Sequence, residues 1–148
     1  AAHLAVMSVE AACVHDADYR ERPDDYSPKV RSTIEAGQVI RGVTYVQAQR
    51  ARRSFRRHLK KAADGFDAVL TPSTATPAPR DLTTTGDPAF QTPWTTCGFP
   101  AITLPLGLGK TGMPLGIQLA TGPFEEQKLL AAALWCEKVL DVSLKPPL

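Results

Sequence analysis

The sequence predicts an α/β fold, and three features carry that prediction. Apolar residues recur at helical spacing through the first 65 positions, three short apolar runs bounded by proline and glycine follow, and a leucine- and alanine-rich stretch closes the chain. Leu4, Met7, Ala11 and Val14 trace the first helical face, which decays at Arg22-Pro23-Asp24-Asp25, where proline and paired aspartates mark a loop. Ser27 then supplies an N-cap and Pro28 a first helical position; Val30 and Ile34 share a face, and Gly37 is placed to end the helix. Thr44 stands three residues before Gln47, the spacing of a capping box, and Tyr45, Ala48, Phe55, Leu59 and Ala62 form a stripe, so a helix is expected over 44–64.

Phe66 to Leu70 is short, apolar and bounded by Gly65 and Thr71-Pro72, which suits a buried strand. From Thr71 to Phe90 the chain is rich in Pro, Thr and Gly without periodicity, a loop of about 20 residues, a length that is usually functional or disordered. Ala101–Leu106 and Leu115–Ala120 are separated by a glycine-rich reversal and read as an antiparallel hairpin, with Pro105 and Pro114 at strand ends or bulges. Pro123 opens a last helix, with Glu125 and Glu126 in its first turn and Leu130, Ala133, Leu134 and Leu140 on its apolar side. Three strands are few for four helices, so the natural completion is a larger sheet supplied by residues outside the chain. The opening at Ala1, inside a helix-favouring run and without an initiator Met, reads as a cut within a structure.

Composition narrows the function classes. With 148 residues, 43% hydrophobic and 22% charged, the chain can bury one core, and residues 1–148 are expected to form part of a single domain, mainly helical over 1–65 and carrying the strands, long loop, hairpin and final helix over 66–148. A net charge of +2 demands neither nucleic acid nor an acidic membrane as partner. No apolar stretch approaches the roughly 20 residues that span a bilayer, and residues 1–20 do not resemble a leader, so a cytoplasmic chain is expected. Cys13, Cys97 and Cys136 are odd in number and far apart, which predicts three reduced, mostly buried thiols rather than a disulfide scaffold or zinc site.

The strongest signal lies between Gly86 and Leu134. It runs Gly86-Asp87-Pro88-Ala89-Phe90, then Pro93-Trp94-Thr95-Thr96-Cys97-Gly98-Phe99-Pro100-Ala101, then Leu104-Pro105-Leu106-Gly107, then Gly112-Met113-Pro114-Leu115-Gly116-Ile117-Gln118, ahead of a helix near Glu125. The upstream Asp67-Ala68-Val69-Leu70-Thr71-Pro72 and Glu10-Ala11-Ala12-x-x-His15 fall in the matching order. Together these resemble the C-terminal portion of the amidase-signature family, the serine-lysine amide hydrolases. The resemblance implies the C-terminal part of that family's mixed β-sheet flanked by helices, incomplete in this chain.

It also implies amide hydrolysis by a serine nucleophile, a second serine in a cis peptide bond and a neutral lysine base, chemistry that needs an activated hydroxyl, backbone donors for the oxyanion and no cofactor. In the family the serines lie in a Gly/Ser-rich segment, with the lysine further upstream. This chain contains no Gly-Gly pair, no Ser-Ser pair and no Gly-x-Ser-x-Gly, so no catalytic residue is carried over and the chain alone is expected to be inactive. What it can supply is pocket wall: the segment lining the acyl side in the resembling enzymes maps onto Pro88, Thr92, Trp94 and Thr95, with the alternative that Trp94 is core and the threonines cap a short helix.

The implied partner is a small-molecule amide, without nucleic acid or membrane, and a homodimer is compatible with the sequence. The glutamine-hydrolysing subunit of tRNA-dependent amidotransferases shares the pattern but carries an acidic residue where Pro88 stands and an asparagine where Thr95 stands, which favours a general amidase. A free-standing, non-catalytic α/β interaction module is the third reading. The basic cluster Arg50, Arg52, Arg53, Arg56, Arg57, Lys60 and Lys61 spreads round the 44–64 helix and reads as a solvated face rather than an RNA stripe. His3, His15 and His58 lack ligand spacing, and Asp24-Asp25 and Glu125-Glu126 read as loop and helix-start charges.

Overall fold

The structure, a computed structural model, describes residues 1–79 and 84–144 and divides into two units, Ala1–Arg57 and His58–Leu148. The first unit holds α1 (Ala2–Val14), α2 (Asp16–Glu21), a 3-10 turn at Pro23–Asp25, α3 (Pro28–Val39) and the greater part of α4 (Gly42–Ala63), which runs on past Arg57. Ser27 and Pro28 take the expected N-cap and first helical position of α3, although the Ser27 side chain makes no capping bond. Gly37 does not end α3, which continues to Val39. Its role is contact: a Cβ built on Gly37 would fall 2.0 Å from the Ser8 carbonyl oxygen and 2.8 Å from the Ala12 Cβ. The two helices therefore cross on small residues.

That crossing explains a difference in α1. The expected stripe Leu4, Met7, Ala11, Val14 is not the packed face; Val6, Ser8 and Ala12 are buried, while Leu4, Met7 and Val14 are exposed. Backbones that approach closely select small side chains at the crossing, whatever the larger apolar residues alongside. Ile34 on α3 is fully buried, whereas Val30 is exposed. α4 begins two residues before Thr44, so the capping box is not formed; the amides of Thr44 and Tyr45 instead donate to the Arg41 carbonyl at 2.9 and 3.1 Å. Ala48 of the expected stripe is buried and Phe55 is exposed.

Polar ties join these helices. Glu10 accepts from Tyr45 Oη at 3.3 Å and Gln49 Nε2 at 3.1 Å, and lies 3.6 Å from Arg52. His15 Nδ1 and Tyr26 Oη share a 3.2 Å hydrogen bond with their rings edge to face. Tyr19 Oη donates to Glu35 at 2.7 Å, and this bond to the carboxylate holds the phenol above its ordinary pKa of 10.0.

The second unit contains β1 (Val69–Pro72), α5 (Thr92–Cys97), β2 (Ala101–Leu108), β3 (Pro114–Ala120) and α6 (Glu126–Leu140). The strands form an antiparallel sheet in the order β1-β3-β2. The hairpin β2–β3 forms where the sequence places it, with a register shift between Pro105 and Gly107 that accommodates the proline. β1 starts at Val69 rather than Phe66 and takes in Thr71 and Pro72, because that register pairs Val69 with Ala120 and Pro72 with Ile117 and leaves Phe66 exposed. Of the expected long loop, residues 80–83 lie outside the described residues.

Strand alternation sorts the sheet into two faces. Ile117 and Leu119 with Ile102 and Leu104 meet α6 through Leu129, Ala133 and Cys136. On the other face Ala120 and Val69 pack with Trp94, Cys97, Phe99 and Leu59. The packed side of α6 keeps Ala133 of the expected one but takes Leu129 and Cys136 in place of Leu130 and Leu134, which are exposed. α6 is apolar over more of its circumference than the sheet covers, so spacing alone does not select the buried line. Glu125 precedes the helix, and its carboxylate accepts from the Gly122 amide at 3.0 Å. All three thiols are free, as expected, but they are less buried than expected: Cys97 is buried, Cys136 half-buried and Cys13 exposed. No helix among the described residues is long and apolar enough to cross a membrane.

Candidate functional site

The Trp94-bearing face of the sheet changes character along its strands. Its apolar end, Val69–Ala120–Ala101, gives way to a cross-strand row of Thr71, Gln118 and Thr103, and then to Gly116 beside Ser73. Gln118 is only 4% exposed, so its amide must be satisfied inside the protein. Its Nε2 donates to Thr71 Oγ1 at 3.2 Å and to the Phe90 carbonyl at 3.0 Å. Ser73 extends the ladder of β1, its amide donating to the Gly116 carbonyl at 3.0 Å, and its Oγ bonds to Thr103 Oγ1 at 3.2 Å. Gln91 Nε2 donates back to the Ser73 carbonyl. A polar seam thus fastens the chain before α5 to the middle of the sheet.

Gly116 makes the seam possible. A Cβ there would lie 2.8 Å from Ser73 Oγ and 2.9 Å from Thr103 Cγ2, inside the contact distance that either tolerates. The Gly-x-Gln pair of β3 therefore has one physical meaning: two residues on the same face, the first leaving room for a serine and the second reaching across to a loop.

The turn leading into α5 is locally closed. Asp87 Oδ1 accepts from the Ala89 amide at 2.9 Å, and the Pro88 carbonyl accepts from the amides of Gln91 at 3.0 Å and Thr92 at 2.9 Å and from Thr92 Oγ1 at 2.9 Å. At its other end α5 stops at Gly98, whose φ of 62° is left-handed, as a glycine at that position allows.

These elements bring Pro88 and Thr92 into one turn, with Thr95 exposed on the next turn and Trp94 directed into the core with Cys97, Phe99 and Ala120. Among the described residues, Trp94 Nε1 and Gln91 Oε1 are buried polar atoms without a hydrogen-bond partner. A groove of about 420 Å³ opens next to the seam, lined by residues that include Ser73, Thr76, Pro77, Thr103, Pro105 and Gly116. None of Pro88, Thr92, Trp94 and Thr95 lines it, and among the described residues Asp87 is its one ionisable lining residue. Ser73 Oγ bonds to a threonine hydroxyl, Asp87 Oδ1 accepts from the Ala89 amide, and the described lining holds no lysine or histidine, so the groove offers hydroxyls and apolar surface for binding without the lysine base of a serine-lysine pair. No group of three or more metal-ligating side chains occurs among the described residues.

Sequence reasoning reads Gly116 as a point of close backbone approach or a bulge, which the contact with Ser73 bears out, reads Ser73 only as an isolated serine, and gives Gln118 no role of its own. The available signal is a lone amide inside an otherwise apolar strand, two residues after a glycine.

Residues 2–130 match the Amidase family. AmiD, a candidate amidase of Mycobacterium tuberculosis, is 33% identical over 135 residues, covering 84% of this chain and 28% of that protein. The A subunit of the glutamyl-tRNA(Gln) amidotransferase of Zymomonas mobilis is 36% identical over 109 residues, covering 69% of this chain and 22% of that one. A crystal structure of an amidase superposes with a TM-score of 0.82 at 31% identity, covering 92% of this chain and 34% of that one. The chain thus spans about a third or less of the proteins it matches.

Proposed function

The chain belongs to the amidase family, and on that premise we propose that it forms the substrate-wall portion of a single-domain enzyme that cleaves carbon–nitrogen amide bonds. In this reading the serine nucleophile, the second serine and the lysine base come from residues outside these 148, and Pro88, Thr92, Trp94 and Thr95 contribute the acyl side of the pocket. The observation that carries it is the seam. Gln118 and Gly116 lock the turn before α5 onto a sheet strand, the fixed backing that a substrate wall requires, while the described lining of the neighbouring groove has hydroxyls but no lysine. Pro88 and Thr95 are the exposed candidates and fit direct contacts; Trp94, inside the core, fits a supporting role.

The test is turnover of a simple aryl amide. The purified 148-residue chain is expected to give none above buffer, and the longer protein that contains it is expected to hydrolyse the amide at an ordinary enzymatic rate. Turnover by the chain alone that survives repurification would refute the assignment of the nucleophile.

A second reading rests on the 36% identity to the A subunit of an amidotransferase. Against it, Pro88 and Thr95 stand where that pattern carries an acid and an asparagine, so the grip on a glutamine head group is missing. Glutaminase activity that arises only with added partner subunits would favour it.

A further inference from the structure

We propose that Gln118 is the positioning residue of the acyl-side wall: through its bond to the Phe90 carbonyl it sets where α5 sits over the sheet and so shapes the pocket for the acyl group. The inference rests on the reading of the preceding subsection. Its grounds are geometric. Gln118 lies in the central strand, paired with Thr71 on one side and Thr103 on the other. Its side-chain amide is buried, and its two donor bonds are both made, one to a neighbouring strand and one to the loop that opens α5. The Phe90 carbonyl precedes Gln91, whose own amide reaches the Ser73 carbonyl, so two consecutive residues are held by opposite ends of the same seam.

The α5 helix is six residues long and contributes only Trp94 and Cys97 to the core. So short a helix is not stable by itself, and its position depends on what holds its ends. At the C-terminal end Gly98 and the Phe99 amide, which donates to the Trp94 carbonyl at 3.0 Å, close the helix locally. The N-terminal end is where the sheet takes hold, and there Gln118 does what no residue of α5 does for itself.

The experiment uses the full-length protein with Gln118→Met, which keeps length and removes the donor, and Thr71→Val, which removes one acceptor of the same amide and tolerates the strand. Two readouts are taken. Amide exchange at Thr92 and Thr95, whose N–H groups bond to Pro88 and Gln91, is expected to quicken about tenfold in Gln118→Met and by a lesser factor in Thr71→Val. For a bulky acyl amide KM is expected to rise about tenfold with kcat within about threefold, and for a formyl or acetyl amide KM is expected to be unchanged. Unchanged exchange at both amides in both variants overturns the positioning role. Exchange that quickens without an acyl-dependent KM change, in an enzyme that still turns over, refutes the link from position to pocket. If Gln118→Met does not fold, Thr71→Val decides by the same two readouts. A wild-type protein that hydrolyses no amide sinks the functional reading, and with it the pocket claim; the exchange rates then decide the tether alone.

Discussion

Gly37→Ala is expected to lower the stability of the helical unit by about 3 kcal/mol, at the upper end of what overpacking costs. The added methyl would sit 2.0 Å from the Ser8 carbonyl oxygen and 2.8 Å from the Ala12 Cβ. Both are parts of α1 that cannot rotate aside, since one is backbone and the other has no further torsion. Relief requires α1 and α3 to separate along their crossing, which opens the site around buried Val6, Ser8 and Ile34. Helix propensity works the other way, because alanine is favoured over glycine by about 1 kcal/mol in a helix interior, so the net sign itself tests whether the contact dominates. Gly42→Ala is the control: nothing lies within 4 Å of where its methyl would stand, and no loss is expected. Urea melts followed by far-ultraviolet circular dichroism would rank the two variants.

Gly116→Ala is expected to cost about 2 kcal/mol and to loosen the seam. Its methyl would meet Ser73 Oγ at 2.8 Å and Thr103 Cγ2 at 2.9 Å, with the Leu104 carbonyl oxygen at 3.3 Å behind them. The serine hydroxyl is the part that can yield, and yielding breaks its 3.2 Å bond to Thr103. The consequence should be local: the Ser73 amide, bonded to the Gly116 carbonyl at 3.0 Å, should exchange faster, while the apolar Leu119, Leu129 and Ala133 packing on the opposite face keeps its protection. A melt unchanged to within about 0.5 kcal/mol would mean that the close approach at Gly116 carries no energy.

The contrast between these two glycines shows what the sequence can disclose. Gly116 belongs to a proline- and glycine-punctuated hairpin, and the strands on either side are legible because alternation and turn residues agree there. Gly37 reads as a helix end, since a glycine at a terminus and a glycine under a crossing helix have the same local signature. The same ambiguity shifts the buried lines of α1 and α6, where apolar residues occupy more than one face and the partner decides which is covered. At the candidate site the family pattern names residues, but the bond from Gln118 to the Phe90 carbonyl joins positions 28 apart, and no local rule predicts it.

The expectation of an unfinished sheet has a structural counterpart. Among the described residues β1 and β2 have strand neighbours only on their β3 side. Next to α6 an apolar groove of about 560 Å³ is lined by residues that include Leu70, Ile117, Leu119, Trp135 and Val139. Leu70 is 60%, Trp135 66% and Val139 63% exposed, an unusual cost for one continuous surface of a small unit. On the function proposed above, this groove is where further residues of the same domain are expected to pack.

Hydroxyl-radical footprinting of Leu70 and Trp135, in the 148-residue chain and in the full-length protein, addresses that assignment directly. Strong modification in the chain, falling about tenfold or more in the full-length protein at equal radical dose, is the result expected when the groove is covered by its own domain. Equal modification of both side chains in the two proteins would contradict it.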